Sequence, residues 1–107
     1  MFHGRKGDVI NKGGYKISIP EMELYLQSLQ GVSEVAVITI NDDIRGEDFV
    51  AYMVLEDNTE LSKIIEIIHY ERPSVEWPKA ILEIPMLPLT ECSKVDKRKL
   101  KEWYNKG

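Results

Sequence analysis

Residues 4–23 read GRKGDVINKGGYKISIPEME, and this stretch decides how the chain is organised. Its first half is basic and broken by glycine. Its second half ends in a helix-start signal. Ser18 stands three residues before Glu21, the spacing of a capping box. In that motif the serine hydroxyl accepts from the Glu21 N–H, and the carboxylate accepts from the Ser18 N–H. Pro20 falls in the first turn, where its missing N–H costs nothing. Upstream, residues 8–11 and 15–18 alternate apolar and polar side chains around Lys12-Gly13-Gly14, which predicts a small β-hairpin. A loop bearing Arg5, Lys6, Lys12 and Lys16 thus runs into a well-started helix. Glycine lets a backbone approach a ligand closely, and the basic side chains suit an anionic one.

Working outward, Met22, Leu24, Tyr25, Leu26 and Leu29 extend the helix to about residue 29, with Gly31 expected as its C′ residue. Residues 32–40 are apolar on both alternating sets: Val35 and Val37 on one, Ala36, Ile38 and Ile40 on the other. That pattern predicts a central strand. A polar turn leads to a second strand, 48–55, expected to pair antiparallel with the first. Asn58 or Thr59 is expected to cap a helix over 60–70. Pro73 and Pro78 bound a loop, 80–84 reads as a third strand, and Pro85 and Pro88 stop it. An extended loop then carries Lys94, and Asp96 caps a last helix over 97–104. The order ββ-α-β-β-α-β-α predicts an α+β fold, a small three-stranded sheet with packed helices plus an N-terminal β-hairpin.

A chain of 107 residues with 43% hydrophobic content is expected to form one domain with its own core. The net charge of −4 gives no general attraction to nucleic acid or anionic membrane. No apolar run approaches a membrane span, and no signal peptide is expected ahead of the basic loop. A single cysteine, Cys92, forms no internal disulfide, which fits a reducing cytoplasm.

Two motifs carry a resemblance. In residues 4–23, Gly4, Arg5, Asp8, Ile10, Gly14, Tyr15, Ile17, Glu21 and Glu23 match in register the motif that opens the small C-terminal domain of adenylate-forming enzymes. These include acyl- and aryl-CoA synthetases, nonribosomal-peptide adenylation domains and luciferases. Near the other end, LPLTECSKVDKRKL (87–100) is similar to that family's lysine motif. The resemblance runs from Gly4 to about Tyr104. It implies that residues 1–107 are the mobile C-terminal domain of an acid–thiol ligase whose large N-terminal domain is absent. Such a ligase activates a carboxylic acid with ATP and Mg2+ to an acyl-AMP. It then transfers the acyl group to CoA or, alternatively, to a carrier-protein pantetheine. Alone, the domain is expected to be inactive, with neither nucleotide nor CoA bound.

The resemblance also assigns residues. Lys94 matches the catalytic lysine, and Arg5 the arginine that binds the nucleotide ribose. Gly7 and Asp8 fall at the hinge about which the domain rotates between two poses. Lys12, Gly13, Gly14 and Lys16 fall on the surface that meets CoA or pantetheine. Where the family has glycine before the lysine, this chain has Ser93, which is strained if the backbone there needs a positive φ. His3 and His69 are isolated, so no metal site is expected. The competing class is a non-enzymatic RNA- or protein-binding module. Lys12-Gly13-Gly14-Tyr15 lacks the spacing of a KH-type GXXG loop, and the net acidity weighs against RNA.

Overall fold

The computed structural model describes residues 9–42 and 46–106. The basic stretch becomes a hairpin of β1 (Val9–Lys12) and β2 (Tyr15–Ser18), with Lys12 opposite Tyr15. Only Gly13 and Gly14 lie between the strands, with φ of 58° and 87°. A two-residue turn with positive φ at both positions matches the strand twist, and glycine adopts it without strain. β2 runs directly into α1 (Ile19–Gln27), whose N-cap is Ser18. The Ser18 hydroxyl accepts from the Glu21 N–H at 3.5 Å. The helix ends sooner than its apolar spacing suggests. Ser28 closes it, donating its N–H to Leu24 and Tyr25 carbonyls and its hydroxyl to Tyr25 O. Gly31 makes the turn that follows rather than the helix end. Leu24, expected on the apolar face, points to solvent, while Met22 and Leu26 pack inward.

β3 (Val32–Asp42) and β4 (Gly46–Leu55) form the long antiparallel pair. The chain then crosses over through α2 (Leu61–Glu71) to β5 (Ala80–Glu83), which pairs with β4 in parallel. β1 joins β4 at its start, where Lys12 lies opposite Gly46. The hairpin, the long pair and β5 thus make one five-stranded sheet, ordered β2-β1-β4-β3 with β5 also on β4. Neither Asn58 nor Thr59 caps α2, which starts after an extended Glu60 without a side-chain cap. Asn58 instead takes a left-handed conformation, φ 66°, in the turn after β4. A single 3-10 turn, Ser74–Glu76, fills the loop between Pro73 and Pro78. α3 (Lys97–Lys106) starts as expected, with Asp96 Oδ1 accepting the Lys99 N–H at 3.1 Å.

Alternation along β3 and β4 sends apolar residues to both faces, so there are two cores. Val37, Phe49, Ala51 and Met53 face α1 and α2 through Met22, Leu26, Ile64 and Ile68. Ala36, Ile38, Val50 and Tyr52 face Leu87 and Leu100 of the C-terminal segment. Tyr52 also donates its hydroxyl to Leu100 O at 3.2 Å. The sheet is thereby covered on one side by two helices and on the other by α3 and its approach.

Gly31 joins the first helix layer to the turn before α2. Its φ is +96°, and a Cβ there would lie 2.6 Å from Thr59 Cγ2. Its carbonyl accepts the Glu56 N–H at 2.8 Å, which pins the turn against relaxation. Gly31→Ala is expected to destabilise the 107-residue chain by about 2–4 kcal/mol in urea unfolding, through strain and overpacking together. Adding Thr59→Ala is expected to recover the overpacking part and leave a residual of about 1 kcal/mol from the left-handed backbone.

Candidate functional site

Lys94 does not sit on an extended loop as its sequence suggests. Leu89 and Val95 form an antiparallel bridge. Asp96 N–H donates to Pro88 O at 2.8 Å, Thr90 N–H to Lys94 O at 2.7 Å, and Ser93 N–H to Thr90 O at 2.9 Å. The Thr90 hydroxyl accepts from the N–H groups of Cys92 and Lys94. These bonds fold residues 88–96 into a tight hairpin. One root is Leu87, buried in the second core, and the other leads into α3, whose Leu100 is buried in the same core. Lys94 itself is exposed beside the turn. Ser93 has φ 63°, so the turn does require the left-handed conformation that glycine adopts without strain.

Lys12 requires a correction. It was expected on the hairpin surface that meets CoA or pantetheine. It is instead buried, 2% exposed, and faces Asp48, which is equally buried. Their Nζ and Oδ1 atoms lie 3.0 Å apart. Lys12 Nζ also donates to the Trp77 carbonyl and lies 5.3 Å from the centre of the Phe49 ring. Asp48 Oδ1 accepts the Phe49 N–H at 2.7 Å. The cause is strand alternation: Lys12 follows the buried Ile10 by two residues and shares its face. Among the described residues no buried side-chain nitrogen or oxygen lacks a partner.

Gly13, Gly14 and Lys16 remain together on the exposed hairpin. A Cβ at either glycine would meet nothing within 4 Å, so φ and not packing within this domain demands glycine. Lys16 lines a groove of about 250 Å³ with Tyr15, Ser18, Tyr25, Arg72 and Glu76. Arg72 pairs with Glu76 at 3.1 Å and lies over the Tyr25 ring. The Tyr25 phenol is pushed up to about 12, by burial first and then by its hydrogen bond to Glu71. The Tyr15 phenol is raised by its hydrogen bond to Glu76. Lys94 stands apart from this cluster, on a hairpin rooted in the opposite core. Arg5, Gly7 and Asp8 lie outside the described residues.

Two acids carry more than the sequence reading gave them. Asp48 holds Lys12, and its signal was an acid placed directly against an apolar strand. Glu23 accepts the Val37 N–H and pairs with Lys97, each at 2.8 Å. It had been matched to a motif without a role. Among the described residues no three His, Cys, Asp or Glu side chains converge as metal ligands. No described helix is long and apolar enough to cross a membrane.

Residues 21–94 match the family model described as the AMP-binding enzyme C-terminal domain. The chain is 34% identical over 101 residues to a 2-hydroxy-7-methoxy-5-methyl-1-naphthoate–CoA ligase of Streptomyces carzinostaticus, covering 92% of this chain and 18% of that protein. It is 36% identical over 107 residues to a salicylyl-CoA synthase / salicylate adenylyltransferase of a Streptomyces species, covering 95% and 19%. Among solved structures it is similar to a Mycobacterium tuberculosis fatty acyl CoA synthetase, with a TM-score of 0.75 and 31% identity, over 91% of this chain and 20% of that one. It is likewise similar to ATP-bound MatB from Rhodopseudomonas palustris, with a TM-score of 0.79 and 25% identity, over 94% and 20%. The chain thus spans about a fifth of the length of the relatives it matches.

Asp48→Ala leaves the Lys12 ammonium buried beside a carbonyl alone and is expected to cost about 3–5 kcal/mol in chemical denaturation. Lys12→Met combined with Asp48→Ala is expected to be milder than Asp48→Ala, because no charge is left buried. Ser93→Gly is expected to stabilise the chain by about 1 kcal/mol, since the left-handed conformation is then free of Cβ strain.

Proposed function

The chain belongs to the AMP-binding enzyme C-terminal domain family, and on that premise we propose that it is the mobile C-terminal domain of an acid–thiol ligase, with Lys94 as its catalytic lysine. The observation that carries this reading is the placement of Lys94. It occupies the lysine position of the 87–100 motif, its side chain is exposed, and its hairpin is rooted in the core on both sides. A large adenylating domain of the same protein holds the acid pocket, in keeping with the fifth of the relatives' length that this chain spans.

The reaction runs in two steps. In the first, a carboxylate oxygen attacks the α-phosphorus of ATP. The new C–O–P linkage forms as the bond to pyrophosphate breaks. Two anions approach each other, and negative charge grows on the α-phosphate oxygens. The Lys94 ammonium, set beside both, offsets that charge in the transition state. Magnesium, entering with ATP, screens the phosphates. In the second step the domain rotates about Gly7 and Asp8, and a thiol sulfur attacks the acyl carbonyl while AMP leaves.

In that second pose the β1–β2 turn faces the thiol. Gly13 and Gly14 present bare backbone with open space above it, which fits the close passage of a pantetheine arm. Lys16, exposed beside them, suits a CoA phosphate; Lys12 is occupied by Asp48 and takes no part. Arg5 holds the ribose diol of the nucleotide through its fixed donors. CoA is favoured over a carrier-bound thiol because the similar proteins from Streptomyces carry CoA in their names, one as a CoA ligase and one as a salicylyl-CoA synthase / salicylate adenylyltransferase. A reducing cytoplasm fits the exposed, unpaired Cys92.

In the full-length protein, Lys94→Ala is expected to lower pyrophosphate release on activation of the acid by on the order of a hundredfold or more. Thioester formation from pre-made acyl-AMP is expected to stay near the parental rate. Wild-type rates in both steps would reduce Lys94 to a surface lysine and return the domain to the class of binding modules. Gly14→Ala is expected to do the reverse, slowing the thiol step more than the adenylation step.

A further inference from the structure

Glu23 belongs to α1 but makes its bonds elsewhere. Oε2 accepts the N–H of Val37 at 2.8 Å and lies 2.8 Å from Lys97 Nζ. Val37 is in β3, which lies at the edge of the sheet. An edge N–H has no neighbouring strand to accept it, and a carboxylate makes a strong, charge-assisted replacement. Lys97 is the first residue of α3 and comes three positions after Lys94. α1 packs on one face of the sheet and α3 on the other. The Glu23 carboxylate therefore reaches around the strand edge and ties the two layers together.

An ion pair whose side chains are 27% and 43% exposed adds little stability. Its consequence is positional. The Lys94 hairpin has one root at the buried Leu87 and the other at the start of α3. Leu100 anchors α3 one turn further on, through burial and the hydrogen bond from Tyr52. The first turn, which sets the direction in which the hairpin leaves, is tied down by Lys97 to Glu23.

We propose that Glu23 and Lys97 are positioning residues for Lys94. The pair fixes the first turn of α3, so that the lysine hairpin projects at a set angle from the sheet. It also joins the two sequence motifs physically, since Glu23 closes the first and Lys97 lies in the second. The proposal rests on the catalytic reading of Lys94 given above. Stabilising a developing charge depends on where the cation stands, and a displacement of roughly 1 Å can cost up to about a hundredfold in rate.

The test uses the full-length protein and measures the two half-reactions separately. Lys97→Met is expected to lower kcat for adenylation by on the order of tenfold, with KM for ATP and acid nearly unchanged. Thioester formation from pre-made acyl-AMP is expected to stay within about twofold of the parent. Glu23→Gln should behave the same way; its amide oxygen still accepts the Val37 N–H, so the strand edge stays satisfied. Lys97→Arg keeps the pair and is expected to restore the adenylation rate. The double variant should be no slower than either single one, because one interaction is lost in all three. Parental adenylation in Lys97→Met, or an equal fall in both half-reactions, would overturn the proposal. Lys94→Ala, measured alongside, separates the two levels. If it slows adenylation and Lys97→Met does not, only the positioning role fails. If it leaves adenylation unchanged, the catalytic reading fails and the positioning role falls with it.

Discussion

β4 has no side left for water. Its residues 48–53 are all buried, with Phe49, Ala51 and Met53 toward α1 and α2 and Val50 and Tyr52 toward α3. Backbone groups in such a strand must be paired along both edges. β3 takes one edge along its length, while β5 and the tip of β1 share the other. Much else follows from this requirement. The crossover through α2 brings a parallel strand to the edge that a hairpin partner leaves open. The N-terminal hairpin docks on β4 ahead of the start of β5, at Gly46. Each burial of a large side chain such as Phe49 contributes roughly 2 kcal/mol, so the strand concentrates much of the domain's stability.

Asp48 is the exception inside that run, and the hairpin answers it. A carboxylate at this depth is tolerated only with a partner, and Lys12, with the Phe49 N–H, provides one. Buried pairs of this kind contribute little net energy against an apolar replacement. They are sensitive to register, however. A slip of β1 by one residue would turn Lys12 to solvent and leave Asp48 alone among apolar side chains. Gly46, opposite Lys12, has φ 90°, and a Cβ there would make only ordinary contact with the Asn11 carbonyl at 3.8 Å, so it is the left-handed backbone and not space that favours glycine where β1 meets β4.

The elements with strong periodicity were legible in the sequence. The doubly apolar run from Val32 to Ile40 pointed to a central strand; β3 does carry apolar residues into both cores, but it lies at the sheet edge, and β4 is the central strand. Ser18 and Pro20 placed the start of α1, and Asp96 the start of α3. Ser93 was legible as a point of strain, because a residue type can be weighed against a required φ. Less legible was whatever depended on a distant partner. Lys12 read as a surface cation because nothing nearby in the chain reveals Asp48, thirty-six residues away. The Lys94 hairpin read as extended because its bonds are made by Thr90 and Pro88 backbone groups rather than by a turn signature. Leu24 was placed on the apolar face with Met22 and Leu26, but two residues along a helix turn a side chain by about 200°, so it faces solvent.

The split between the two cores also sets an order of events. β1 with β2, and β3 with β4, are pairings of near neighbours and close quickly. Helix α1 and then α2 complete the first core from residues up to Ile68. The other face of the same sheet, with Ala36, Ile38, Val50 and Tyr52, waits for Leu87 and Leu100. During synthesis from the N-terminus, that face is an uncovered apolar surface until α3 emerges. The segment that carries Lys94 is thus also the lid of the second core. Closure of that core and the ordering of the Lys94 hairpin are one folding event, so a half-made domain has neither.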